Sequence, residues 1–542
     1  MGAREVLGVV EMRNSGLGGW PGRRAAMSPG RVALVFEGRS VTYGELYERV
    51  VRLARRFRKA GVAPSDRVAY LGPNHPGLVE TMFAAHLLGG IFVPLNFRLT
   101  APEIDFMLAH SGTKLLVFAP SCAGTAEGLN TAAALVPLHS IADALPFPAA
   151  RAGDAAGVTR AVEKKADGLS LPAVDEMRRE VEVSVGLDEP AFILYTSGTT
   201  GRPKGAVLTH GNVVWNCFNL LVGVDVGADE VGLVGAPLFH VAALDQCLLP
   251  TFLKGGTSVL MPSWDVDNAL DLIASERVTW MFGVAAMFAG LAQSPRWRSA
   301  DLSSVRSVMS GGASVPPALI TAYQERGLTF CQGYGLTETA PGATFLEARE
   351  SLAHVGSAGV PVFFADVRCA RPDMSDADVG EPGEVLVRGP NVTPGYWDDQ
   401  AATEAAFADG GWFRSGDVAL VDESGHFHIV DRLKDMYVSG GENVYPAEVE
   451  SVIFEHPDVA EVAVVGVPDE KWGEVGRAFV VAKPGRRVDV GELRAFLGGR
   501  LARYKLPVYV EVVEGLPRTG SNKVRKAPLR AMPLNTATPG DR

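Results

Sequence analysis

Two hydrophobic rhythms alternate between Val32 and Leu95. Ala33–Phe36 and Ser40–Thr42 are short apolar-rich runs around Glu37-Gly38, which predicts a hairpin. Leu46, Val50, Leu53 and Phe57 then recur at helical spacing from Tyr43 to Ala60. Arg67–Leu71 reads as a buried strand, Val79–Leu88 as a helix and Ile91–Pro94 as another strand. Strand alternating with helix predicts a parallel sheet covered on both faces. Residues 121–190 are Ala-rich, mixed in charge and weakly patterned, which predicts a surface excursion. The rhythm returns at Ala191-Phe-Ile-Leu-Tyr195, a buried strand that runs into a polar, Gly-rich loop. Alternation continues to about Val362, followed by short β-like runs at Val385–Arg388 and Phe427–Val430.

A smaller unit follows Asp431-Arg-Leu-Lys434. Ala447–Phe454 and Val490–Leu501 have helical spacing there, and Val459–Val467 and Arg477–Ala482 read as strands. The expected class is therefore α/β. A large N-terminal domain of parallel and mixed sheets flanked by helices spans residues 31–433. A small α+β domain spans 434–542, with the boundary at Lys434. Residues 1–30 are rich in Gly, Arg and Ser and have little to bury, so they are expected to form a loose leader.

Length agrees with this division, because 542 residues exceed what one hydrophobic core organises. A 47% hydrophobic and 21% charged composition is that of a soluble globular enzyme. The net charge of −11 provides no general attraction to nucleic acid, so any bound phosphate must be held by local groups. Five scattered cysteines form no CxxC pair and have no metal-ligand spacing, which suits reduced thiols in the cytoplasm. No secretory signal or integral membrane segment is expected. The most apolar stretch, Met82–Leu95, is broken by His86, Gly89, Gly90 and Pro94, and falls short of the ~20 residues that span a bilayer. Oligomeric state is not legible.

The main chemical signal is Tyr195-Thr-Ser-Gly-Thr-Thr-Gly-Arg-Pro-Lys-Gly205. Gly198, Gly201 and Gly205 permit turns that expose backbone N–H groups to an anion. Thr196, Ser197, Thr199 and Thr200 add hydroxyls, and Lys204 adds a positive charge. Together they suit a polyphosphate. The loop is not a Walker A motif, since Pro203 precedes Lys204 and Gly205 follows it.

This loop resembles the signature of the adenylate-forming superfamily: acyl-CoA synthetases, peptide adenylation domains and luciferases. The resemblance runs from about Ala33 to Arg530 and is nearest to bacterial fatty-acyl-CoA synthetases. It implies ATP, Mg²⁺ and coenzyme A as reactants with a small carboxylic acid, and a small domain that turns between half-reactions. Gln332-Gly-Tyr-Gly-Leu-Thr-Glu338 is similar to a second family motif. The resemblance gives Gly333 and Tyr334 to the adenine side, Thr337 to the α-phosphate and Glu338 to the metal. Ser310-Gly311-Gly312-Ala313 resembles the segment that lets backbone approach the purine. Gly411-Trp-Phe-Arg-Ser-Gly-Asp417 resembles the motif whose Asp accepts the ribose hydroxyls. Asp431-Arg432-Leu-Lys434 resembles the hinge: Arg432 would meet ribose or phosphate, and Lys434 would be the pivot. Gly440-Gly441 would line the pantetheine tunnel. Pro517-Arg-Thr-Gly-Ser-Asn-Lys523 resembles the last motif, whose Lys523 would bind the carboxylate and bridging phosphate oxygen. Asn522 stands where the family has Gly.

Pro237-Leu-Phe-His240 resembles a segment whose His gates the acid site. Val241–Leu244 and Met281–Val284 are candidate walls, small or apolar as a hydrophobic acid requires. Asp245 lies five residues past His240, away from the position where amino-acid-activating relatives place an ammonium partner. The expected reaction is activation of a fatty or other hydrophobic acid as its acyl-adenylate, then transfer to coenzyme A. Alternatives are an aryl acid, a different acceptor (carrier-protein thiol, amine or inorganic anion), or a non-catalytic nucleotide sensor.

Overall fold

The computed structural model describes residues 14–138, 169–196, 203–224, 226–312, 315–439, 442–498, 500–518 and 524–533. The chain divides into two compact units, Met1–Val367 with Val387–Phe413, and Arg368–Leu386 with Arg414–Arg542.

The first unit begins its regular structure where the pattern places it. Val32–Phe36 and Arg39–Thr42 pair antiparallel, and Glu37 and Gly38 have φ of 50° and 70°. Left-handed backbone at both turn residues matches the twist of the flanking strands. The helix Tyr43–Lys59 starts at a capping box: Thr42 Oγ1 accepts the Glu45 amide at 3.2 Å, and the Glu45 carboxylate accepts the Thr42 amide at 2.8 Å. Leu46, Val50, Leu53 and Phe57 are all buried beneath it.

Two sheets organise this unit among the described residues. One runs in the order Val360–Pro361, Thr344–Leu346, Thr329–Tyr334, Ser307–Gly311, Trp280–Gly283, Val231–Val234, Thr257–Leu260, Val32–Phe36, Arg39–Thr42. Its middle is parallel, and antiparallel strands close both ends. The other runs Gly395–Tyr396, Lys204–Thr209, Pro190–Thr196, Ile91–Leu95, Arg67–Leu71, Thr113–Phe118, Ala134–Pro137. Its parallel strands read as continuous apolar runs because helices cover both faces. Large aromatic side chains such as Phe83, Phe92, Phe192 and Phe252 fill the shared core.

In the second unit, Val459–Asp469 and Gly473–Ala482 form a long antiparallel pair. Tyr509–Val512 adds in parallel, and Pro446–Phe454 and Val490–Leu497 pack as helices on the apolar face. This unit also takes in the hairpin arms around Asp417 and Arg432, ahead of Lys434.

Two expectations are corrected. Residues 14–27 are not a loose leader. Leu17 and Trp20 are buried, Asn14 Nδ2 donates to His86 O at 2.8 Å, and the Leu17 amide donates to His210 Nδ1 at 3.2 Å. The Gly-rich composition that suggested looseness is a packing requirement, since a Cβ on Gly18 would stand 2.5 Å from the His86 backbone. Nor is 121–190 wholly an excursion: Ala134–Pro137 is an edge strand paired with Thr113–Phe118, and Leu171–Arg179 is a helix. Residues 139–168 lie outside the described residues. Among the described residues no helix is long and apolar enough to cross a membrane.

Candidate active site

In the first unit, the hydroxyl-rich loop is closed by a rung of antiparallel sheet. Pro190–Thr196 enters it and Lys204–Thr209 leaves it, with Thr196 opposite Lys204. The entering strand is fixed at its end, because the Tyr195 hydroxyl donates to Met107 O at 2.9 Å and lies 2.9 Å from His110 Nδ1. The pairing fixes where Lys204 emerges. Ser197, Gly198, Thr199 and Thr200 lie outside the described residues.

The strand Gly395–Tyr396 pairs with the leaving strand, and the Trp397 amide donates to Gly205 O at 2.7 Å. This brings Tyr396 between two of the expected site residues. Lys204 Nζ lies 5.0 Å from the centroid of its ring, and its hydroxyl donates to Glu338 Oε1 at 2.9 Å. Burial and then the Glu338 carboxylate push the Tyr396 hydroxyl upward, so it keeps its proton and acts as a donor. Glu338 is itself buried, and its carbonyl accepts the Thr393 amide at 2.7 Å. Lys204, Tyr396 and Glu338 therefore form one array, cation over ring and hydroxyl on carboxylate. Tyr396 was missed in the sequence. Its only signal is an aromatic pair, Tyr396-Trp397, after Pro394-Gly395.

Tyr334 ends the strand Thr329–Tyr334, opposite Thr344, and Gly333 is in register with Gly311. A Cβ on Gly311 would stand 3.1 Å from Gly333 O, so glycine lets these strands approach. Gly312 has φ of 82° with open space where a Cβ would be, which suits close approach of a flat ring to backbone. Ala313 lies outside the described residues. Thr337 and Glu338 occupy a single turn, Thr337–Thr339. Thr339 Oγ1 donates to Pro341 O at 2.7 Å, and Asn391 Nδ2 donates to Thr339 O and Gly342 O at 2.6 and 2.7 Å. A Cβ on Gly335 would fall 1.6 Å from Pro341 O, so the loop folds back on itself with no room for a side chain.

His240 precedes a short helical turn, Val241–Ala243, with its ring centroid 4.4 Å from that of Phe239. The approach to it is pinned by Asn74, which accepts the Leu238 amide at 2.8 Å and donates to Ala236 O at 2.9 Å. Asp245 is fully buried, and burial drives its carboxyl well above the ordinary range.

In the second unit, Asp417 and Arg432 face each other across the hairpin Trp412–Val421/Phe427–Arg432, with Arg432 Nε 3.4 Å from Asp417 Oδ1. Asp417 is buried and Arg432 exposed. Glu384 braces the turn before them, accepting the Gly416 amide at 3.2 Å and pairing with Arg414 at 2.7 Å. Lys434 sits in the exposed turn after the hairpin. Partial burial and then neighbouring Arg432 lower its ammonium from the ordinary range. Gly440, Gly441 and Lys523 lie outside the described residues.

A divalent ion that accompanies ATP takes hard oxygen donors. Glu338 offers that chemistry, with Tyr396 on one carboxylate oxygen.

Two family models match: AMP-binding enzyme over residues 22–397, and AMP-binding enzyme C-terminal domain over residues 448–523. The chain is 51% identical to a feruloyl-CoA synthase from Amycolatopsis sp over 96% of its length and 99% of the relative's. It is 39% identical to a long-chain-fatty-acid–CoA ligase of Mycobacterium tuberculosis over 94% and 97% of the two chains. Among solved structures, O-succinylbenzoate coenzyme A synthetase from Bacillus subtilis in complex with ATP and magnesium ion is similar at a TM-score of 0.79 and 32% identity, covering 93% of this chain and 98% of that one.

Two outcomes follow from this geometry. Tyr396→Phe removes a hydrogen bond to a charged group, worth about 1.5–3 kcal/mol. It should lower the melting temperature, and lower kcat/KM for acid-dependent pyrophosphate release by about tenfold. An unaltered rate would separate Tyr396 from the array. Asp245 keeps its proton in the folded chain at pH values where the unfolded chain, with a carboxyl pKa of about 3.9, has lost it. Wild-type stability should therefore fall as pH rises above that value. Asp245→Asn does not titrate, so its melting temperature should exceed wild type by more at pH 7 than at pH 4. A difference that shrinks with rising pH would refute this.

Proposed function

The chain belongs to the AMP-binding enzyme family, and on that premise we propose that the carboxylic acid it activates is aromatic. It is an AMP-forming acid–CoA ligase, taking a carboxylic acid, ATP with Mg²⁺, and coenzyme A. The aromatic reading is carried by one observation, 51% identity over nearly the whole chain to a relative named for feruloyl-CoA synthesis. The buried, apolar Val241, Ala243, Met281 and Phe282 of the two candidate wall segments support a hydrophobic acid.

In the proposed mechanism, ATP docks its phosphates on the loop between Thr196 and Lys204, with its adenine at Gly311–Ala313 and Tyr334. A carboxylate oxygen attacks the α-phosphorus, and the bond to pyrophosphate breaks. Lys204 offsets phosphate charge, and Tyr396 holds Glu338 in one orientation. Thr337 meets the α-phosphate, and His240 borders the acid. Glu338 is the residue that would hold Mg²⁺ with ATP, where the ion would supply neutralisation of phosphate charge. Asp417 accepts the ribose hydroxyls, with Arg432 beside it. Lys523 neutralises the charge that builds between carboxylate and phosphate. The domain beginning at Lys434 then turns about that residue, Gly440 and Gly441 line the pantetheine path, and the thiolate displaces AMP from the mixed anhydride. We place the enzyme in the cytoplasm, where its five buried, unbridged cysteines stay reduced.

The test is pyrophosphate release with aromatic, long-chain and amino acids, first without and then with coenzyme A. Release with aromatic acids above the others, and thioester only when coenzyme A is present, is expected. Preference for long-chain acids would overturn the aromatic assignment. Lys523→Ala should slow adenylation by orders of magnitude while sparing thiolysis of supplied acyl-adenylate. Equal loss in both steps would remove Lys523 from the first.

A further inference from the structure

In the second unit, the turn that holds Lys434 is fixed on either side but not at its centre. The hairpin Trp412–Val421/Phe427–Arg432 runs up to it, and the Leu433 amide extends the pairing by donating to Gly416 O at 2.8 Å. On the far side, Arg530 of the helix Lys526–Ala531 holds the Asp435 carboxylate at 2.8 Å. Between them, neither the Lys434 amide nor its carbonyl makes a hydrogen bond among the described residues. Backbone dihedrals can change there without breaking a peptide hydrogen bond, which is the property of a pivot.

A side chain reaches across this pivot. Asp431, on the hairpin side, is buried, and its Oδ1 accepts the Arg432 amide at 2.6 Å. Its Oδ2 accepts the Ala447 amide at 2.7 Å, sixteen residues on and past Lys434. Ala447 lies in the first turn of the helix Pro446–Phe454, where amides have no partner within the helix. Ser, Thr, Asp or Asn at the N-cap usually meets that need. This helix has Tyr445 there, which makes no side-chain cap bond. The Asp431 carboxylate supplies the cap instead, with its negative charge at the positive end of the helix dipole. The helix is therefore capped from the other side of the pivot, and a turn that carries Ala447 away from the hairpin must break the bond.

We propose that Asp431 is a positioning residue that latches the small domain in one of its two orientations. Closed, the latch serves one half-reaction. Open, the Ala447 amide passes to water and the other half-reaction proceeds. The inference rests on the reading that the domain turns about Lys434 between adenylation and thiolysis. Loss of the latch should move the balance between orientations by about three- to thirtyfold, the range that removal of a helix cap spans.

The experiment measures two single-turnover rates separately: pyrophosphate release from ATP and acid, and thioester formation from supplied acyl-adenylate and coenzyme A. The acid is whichever of the aromatic, long-chain and amino acids releases pyrophosphate fastest. Asp431→Ala should change the ratio of the two rates by about three- to thirtyfold, slowing one half-reaction or quickening the other. Asp431→Asn keeps an acceptor oxygen without the charge, so it should give a smaller shift in the same direction with less risk to the fold. A cap that only stabilised the domain would slow both steps alike, so an unchanged ratio in both variants overturns the inference. Lys434→Pro fixes φ at the pivot and should slow one half-reaction selectively. A shifted ratio in Lys434→Pro with an unchanged one in the Asp431 variants overturns the latch alone. An unchanged ratio in Lys434→Pro overturns the turn about Lys434 and the latch together.

Discussion

The pairing of Thr196 with Lys204 is the constraint on which the first unit's site depends. A Gly-rich loop has many conformations available and pays for order in backbone entropy. Tying its two ends into one antiparallel rung fixes where the chain leaves the sheet and where it returns. The same leaving strand then accepts Gly395–Tyr396 as its neighbour, so the register that places Lys204 also places Tyr396. Tyr396 in turn holds Glu338. Residues far apart in the sequence are thus fixed relative to one another by backbone pairing and a single hydroxyl.

Glycine has two opposite uses around this site. At Gly335 and Gly311 it is needed for lack of space, because backbone oxygens of Pro341 and Gly333 occupy or crowd the place of a side chain. At Gly312 the space is open and the left-handed backbone makes the demand. The first use makes a compact loop that resists deformation, and the second leaves peptide surface uncovered. A site that must hold a charged, flat-ringed ligand gains from both, since rigid donors need not reorganise as charge develops.

Much of the fold was legible because local and global preferences agree. The hairpin at Glu37-Gly38, the helix from Tyr43 and the strand from Ala191 each have one rhythm that burial then honours. The edge strand Ala134–Pro137 was not legible, since two of its residues are exposed and its Ala-rich surroundings have no period. The segment 14–27 misled for another reason. Gly18 and Gly16 serve long-range contacts with His86 and His210, and composition alone does not separate glycine that loosens a chain from glycine that lets it pack. At the site, motif residues such as Lys204 and Glu338 announced themselves by chemistry and spacing. Tyr396 and Asn74 did not, because their roles lie in a partner more than fifty residues away, and no local pattern encodes that.

The same limit explains why the contact made by Asp431 was invisible in one dimension. Asp431 read as one residue of the hinge motif, and Ala447–Phe454 as a helix. Only the fold shows that the two meet, through the Ala447 amide and Asp431 Oδ2. A helix capped by its own N-cap residue keeps that bond wherever the helix goes. A cap supplied from across a pivot is made in one orientation and lost in another, so it weighs one arrangement of the chain against the other.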